Sequence, residues 1–121
     1  MTEDYRFREL EIYRLALEYL DAIWNLAEKL PTDHTGKLAD RLADSVSHLV
    51  VQIASKATGA SEIERAFMID GTLMSLYETA ACLDIIERRK LIPASRLKEA
   101  RTAGLVLHDT LQKMKKALRH R

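Results

Sequence analysis

The sequence predicts an all-α protein, an antiparallel up-down-up-down four-helix bundle, and three observations carry the prediction. Apolar residues recur at spacings of three and four through nearly the whole chain, the period that keeps side chains on one face of a helix. The breaks in that pattern fall at helix-ending residues, Pro31, Gly59 and Pro93. The composition, 47% hydrophobic and 31% charged with four glycines and two prolines, suits a helical protein and excludes disordered, collagenous or β-rich classes. At 121 residues the chain fits a single domain, 1–121, able to bury a core without disulfides or metal.

The first helix is expected from about Phe7 to Leu30, stopped by Pro31 because the residue before a proline is pushed out of the helical region. Its apolar residues form two adjacent lines: Leu10, Tyr13, Leu17, Leu20, Trp24 and Ala27 on one, and Ile12, Ala16, Tyr19, Ile23, Leu26 and Leu30 on the other. Together they span roughly 200° of the helix, more than neighbours within one bundle usually cover, so part of this face is expected to meet another chain.

In the loop 31–36, Asp33 or Thr35 can cap the second helix, Lys37 to Thr58, which presents Leu38, Leu42, Val46, Leu49, Val50, Ile53 and Ala57. Gly59 suits a left-handed C-terminal cap. Ser61 with Glu64 three residues on makes a capping box for the third helix, and the short link makes the second and third helices antiparallel neighbours.

The third helix, Ser61 to Ile92, is the longest periodic run. It too has two registers: Ile63, Ala66, Phe67, Met74, Tyr77 and Ala81, and Ile69, Leu73, Leu76, Ala80 and Leu83. So broad a face places it inside a bundle or against another subunit. After Pro93, the fourth helix carries a heptad seam of Leu97, Gly104, Leu111 and Leu118 interleaved with Ala100, Leu107 and Met114. Gly104 costs a helix about 1 kcal/mol relative to alanine, so its place in the seam points to close helix approach.

The net charge of +1 conceals an asymmetry. Residues 1–30 carry four basic and seven acidic side chains, 31–61 three of each, 62–92 four and six, and 93–121 eight and two. On the fourth helix Lys98, Arg101, Lys116 and Arg119 fall on one line with Gln112, interrupted by Leu105 and bordered by Lys113. Such a stripe is either a nucleic-acid-binding surface of phosphate contacts or a solvated face whose cations complement the helix C-terminus.

Other chemistry finds little footing. A di-iron bundle needs Glu-x-x-His, and no histidine has a glutamate three residues before it; no Cys/His cluster has zinc spacing, and the four glycines stand apart, so no cofactor or metal is expected. The sharper enzymatic alternative is a helical ribonuclease of the HEPN class, in which an arginine and a histidine a few residues later cleave RNA across a dimer interface. Arg41 with His48 and Arg101 with His108 fit that pattern loosely. A spacing of seven also places both groups on one helix face, as any surface pair would be. The expectation is a non-enzymatic nucleic-acid-binding or scaffolding module. The single cysteine, Cys82, cannot pair internally, no apolar run approaches membrane-spanning length, and the N-terminus is charged, all of which suit a cytoplasmic protein without a membrane partner.

Phe7-Arg8-Glu9-Leu10, the proline after the first helix, Ser45-Val46, Gln52-Ile53-Ala54, and Gly71-Thr72-Leu73 with Leu76 and Glu78 carry a family likeness. In these the chain resembles the small four-helix-bundle proteins encoded in ribosomal-RNA intervening sequences, a family similar to the accessory variability determinant of diversity-generating retroelements. Where the family usually shows Asn-Ile-Ala-Glu-Gly, this chain has Gln52-Ile53-Ala54-Ser55-Lys56. The resemblance implies a ring-shaped homo-oligomer, typically a pentamer, with basic surfaces that bind nucleic acid such as ribosomal RNA. In the retroelement branch it also implies a reverse transcriptase as partner.

Overall fold

A computed structural model describes residues 5–31 and 36–119, except the side chains of Gly36 and Arg119. The proposed caps Asp33 and Thr35 lie outside the described residues, as do His34 and His120. The described chain is all-α, with no strand: a single 3-10 turn at Arg6–Glu9, then α1 (Glu11–Glu28), α2 (Gly36–Lys56), α3 (Glu62–Arg88) and α4 (Ala94–Arg119).

Helix α1 starts four residues later than the apolar pattern predicts. Leu10 is extended (φ −76°, ψ 136°), which separates the 3-10 turn from the helix. The aromatic side chains hold that turn in place: the Phe7 ring meets Tyr13 edge-on at 4.9 Å, and Tyr5 stacks on Phe7 at 6.0 Å. Helix α2 ends at Lys56, two residues before Thr58, and Gly59 adopts the left-handed conformation (φ 72°) within the connection beyond it. The capping box forms as expected: the Glu64 amide donates to the Ser61 hydroxyl at 3.2 Å, and the Ser61 amide donates to the Glu64 carboxylate at 3.3 Å. Lys56 lies 3.2 Å from the same carboxylate, and these contacts hold its pKa below the usual glutamate range.

Helix α3 stops at Arg88, four residues short of Ile92, because the chain reverses there. The Lys90 amide bonds back to the Glu87 carbonyl and the Leu91 amide to the Ile86 carbonyl, with Lys90 left-handed at φ 55°. This is the Schellman arrangement with lysine where glycine is usual. It turns Ile92 inward, where it is buried.

Each helix packs along two others, α1 and α3 each against α2 and α4; the backbones of the diagonal pairs α1–α3 and α2–α4 are not adjacent, and α1 reaches α3 across the core through the Tyr19 side chain. The four therefore surround one core, compatible with a four-helix bundle. The second line of α1, the Leu42–Ile53 face of α2, the Ile69–Leu83 register of α3 and the heptad seam of α4 fill it. Each fully buried aliphatic side chain contributes about 1.5–3 kcal/mol before entropy is counted. Gly104 has the role its position suggests: a Cβ there would sit 3.0 Å from the Tyr19 ring, so with any side chain the ring or the helix would have to give by a few tenths of an ångström. Tyr19 is buried with its hydroxyl 2.6 Å from Thr79 Oγ1, and desolvation pushes its pKa up to about 12, against the lowering effect of that bond.

Candidate nucleic-acid interface

The fourth-helix stripe separates into parts once the helices are packed. Lys98, Lys113 and Lys116 are exposed and have no ion-pair partner among the described residues. Arg101 is different. Its guanidinium lies 3.1 Å from Asp84 and 3.2 Å from Glu87, both on α3, and its side chain is only one-third exposed. Lys115, between Lys113 and Lys116 in sequence, is likewise held 2.8 Å from Asp70. The Arg119 side chain lies outside the described residues. Lys98 and Lys116 share a line, but eighteen residues put them about 27 Å apart. Exposed Thr102, Leu105, Val106 and Asp109 occupy the surface between them.

A denser group of cations lies at the corner where α3 turns into α4. Arg88, Arg89, Lys90, Arg96 and Lys98 are all exposed, the segment 88–98 contains no acidic residue, and none of the five has an ion-pair partner among the described residues. The nearest carboxylate before the cluster, Glu87, is committed to Arg101. Arg88 to Lys90 end a helix, where cations complement the dipole, but Arg96 and Lys98 begin one, where the dipole opposes them. Helix stability therefore accounts for three of the five cations and works against the other two. The run Arg88-Arg89-Lys90 was visible in the sequence. Counting charge by helix concealed it, because a boundary at residue 92 divides the cluster and the acids of α3 outweigh its first half.

The two arginine–histidine pairs are placed differently. Arg41 is drawn across to α3, 3.1 Å from Glu78, and His48 is an exposed side chain two turns away. Arg101 and His108 line one cleft of about 320 Å³ between α3 and α4, with Tyr77, Leu105 and the Tyr19 ring edge. There His108 Nε2 is 3.2 Å from the Tyr77 hydroxyl, and Nδ1 is 3.3 Å from Asp109. The guanidinium, bound to two carboxylates, is not directed at the imidazole, and two helical turns separate the residues by about 10 Å.

Among the described residues no group of three His, Cys, Asp or Glu side chains could hold a metal ion, and no helix is long and apolar enough to cross a membrane. Cys82 is buried and unpaired, and desolvation raises its thiol pKa. Compared with known proteins, the chain matches no family model and no curated relative.

Proposed function

We propose that the protein is a non-enzymatic nucleic-acid-binding module that works as a homo-oligomer, in the manner of the intervening-sequence proteins it resembles. The observation that carries this reading is the corner of five cations, Arg88, Arg89, Lys90, Arg96 and Lys98, without an acidic neighbour in the segment. Point charges on a helix corner read phosphate and not bases, so binding is indifferent to sequence and steeply dependent on salt. Lys113 and Lys116 add contacts further along α4, and Arg119 extends them. Arg101 serves the fold through its two ion pairs.

The helices run up-down-up-down. Support comes from the connections, Ala57–Ser61 and Arg89–Pro93, which are too short to do other than return the chain beside the helix it has left. The ring-shaped assembly, a pentamer by resemblance, repeats the corner around its rim, so weak contacts combine by avidity. RNA of a ribosomal locus, or the nucleic acid handled by a reverse transcriptase partner, is the ligand class the resemblance supplies. The single buried Cys82 suits a reducing, cytoplasmic setting.

A salt titration of RNA and DNA binding tests the proposal, comparing the wild type with an Arg88→Glu, Arg89→Glu, Arg96→Glu variant of unchanged helix content and mass. Every phosphate that the wild type neutralises and the variant does not is expected to lower the slope of log affinity against log salt by about 0.7–0.9. An unchanged slope would remove the corner from the interface.

One observation favours a second reading, a ribonuclease: Arg101, His108 and Tyr77 share a cleft. The expectation remains that labelled RNA stays intact with the wild type. Cleavage that disappears in His108→Ala would instead make this cleft an active site.

A further inference from the structure

The outer register of α3 carries a line of apolar side chains that none of the described helices covers. Phe67 is 73% exposed, Met74 71% and Ile63 70%, and Tyr77 and Ile85 continue the line at about half exposure. These five side chains extend over 22 residues, about 33 Å of helix. Leu105 of α4, 64% exposed, borders the line beside Tyr77 at the α3–α4 cleft.

The charges along the line are already neutralised within the chain. Glu78 is paired with Arg41 on the α2 side, and Asp70 and Asp84 are paired with Lys115 and Arg101 on the α4 side. Arg65, the one basic residue of α3 before Arg88, donates to the Ala60 carbonyl. A phosphate backbone would find no uncommitted cation between Ile63 and Ile85. What fits a line of apolar side chains with a neutral border is another apolar helix face.

The chain carries a second such face on the helix diagonally across. Leu17 and Trp24 stand out from α1, 38% and 41% exposed, and the backbones of α1 and α3 are not adjacent. Asp21 and Glu28, beside Trp24 on the helix surface, have no ion-pair partner among the described residues. Pairing α1 with α1 would set those acids against their copies. Pairing α3 with α3 would leave Leu17 and Trp24 uncovered. Joining the two faces covers both with one contact and lays the acids along a neutral border.

We infer that the α3 face of one copy, Phe67 and Met74 with Leu105, seats the α1 face of a second copy, Leu17 and Trp24. The contact is head-to-tail, the kind that closes into rings and not into two-fold dimers. This rests on the proposed homo-oligomer and specifies which surfaces build it.

Two single-face variants test it by light scattering coupled to gel filtration. A Phe67→Glu, Met74→Glu chain lacks the α3 face, and a Leu17→Lys, Trp24→Lys chain lacks the α1 face; helix content and thermal unfolding check that each folds. Each variant alone is expected at the 13.8 kDa monomer mass, and their mixture as a complex of two, joined by the one intact pair of faces. If the chain without its α1 face assembles by itself, the contact is α3 with α3 and the inference is overturned. If the wild type assembles and both variants keep its mass, other surfaces mate and the inference fails alone. A wild type that stays monomeric at high concentration overturns it together with the proposed homo-oligomer, while nucleic-acid binding by the corner is measured separately and can survive. Trp24 is the only tryptophan, so its emission gives a readout without mutation. A shift to shorter wavelength is expected as the wild type is concentrated through assembly, and an unchanged spectrum across that range removes Trp24 from the contact.

Discussion

The inner and outer faces of α3 are about equally apolar in sequence and opposite in environment. Ile69, Leu73, Leu76 and Leu83 are at most 4% exposed, whereas Phe67 and Met74, a residue or two away, are more than 70% exposed. Spacing shows that a face is apolar; it does not show what covers it. Within one chain the cover is set by which helices are diagonal, and α1 and α3, the two helices with double registers, are a diagonal pair. Each meets the same two neighbours, which leaves an outer face on each. The other diagonal pair, α2 and α4, also leaves apolar side chains outside, Val51 at 61% and Leu105 and Val106 at 64% and 45% exposed, but in no line as long as that of α3.

The largest expected effect separates the two faces directly. Ile69→Ala removes a fully buried side chain and leaves a cavity in the core, at a cost of about 2–5 kcal/mol in urea unfolding with no effect on which surfaces are exposed. Phe67→Ala, two residues away, is expected within about 0.5 kcal/mol of wild type for the dissociated chain. If the two cost the same, the outer face is covered within the chain, and the contrast between the faces disappears.

The inner face also carries a polar group whose effect depends on pH. Thr79 holds the Tyr19 hydroxyl from α1, and burial raises that phenol from 10.0 to about 12. Below pH 10 the phenol is protonated in folded and unfolded chains alike, and its contribution is fully present. Above pH 10 the unfolded chain ionises first, so stability falls as pH rises through the folded value, by about 2–3 kcal/mol in all. Tyr19→Phe is expected to cost about 1 kcal/mol at neutral pH and to be less sensitive than wild type between pH 10 and 12. Thr79 then keeps its own bond to the Leu76 carbonyl, so no buried hydroxyl is stranded. Equal alkaline sensitivity in the two proteins would place the phenol in contact with water.

Much of this was legible in the sequence where a local rule decides the outcome. The four helices, the Ser61–Glu64 box and the close approach at Gly104 all follow from spacing or from one residue's stereochemistry, whereas which of the two registers of α1 and α3 faces the core does not. The ends of α1 and α3 did not, because Leu10 is extended by aromatic packing around Phe7 and Tyr13, and α3 is ended by a lysine where glycine would have signalled the turn. The candidate interface was legible in part. That Lys98 and Lys116 lie on one side of α4, bordered by Lys113, follows from helical period, but the fate of Arg101 depends on Asp84 and Glu87, fourteen and more residues away, and no pattern on α4 reports it. The corner needed two helix ends read together.

The smallest expected effect lies at the end of α3, where both faces stop. Lys90 is the only non-glycine residue of the described chain with positive φ, a conformation that costs an L-residue about 1–2 kcal/mol relative to glycine. Lys90→Gly relieves that strain while giving the unfolded chain more freedom, so the net gain is about 1 kcal/mol at most, seen as a rise of a few degrees in Tm. Lys29 caps α1 in the right-handed conformation (φ −91°), so Lys29→Gly removes the same charge from a helix end and is expected to lose stability. Opposite signs for the two substitutions isolate the backbone term from the charge. The lysine is thus kept at a position where glycine folds better, in the middle of the cation cluster. Lys90→Gly is accordingly expected to lower the salt slope of nucleic-acid binding by the amount due to one phosphate, about 0.7–0.9, while it raises Tm. A variant more stable than wild type and unchanged in salt slope would mean that Lys90 strains the helix end without serving the interface.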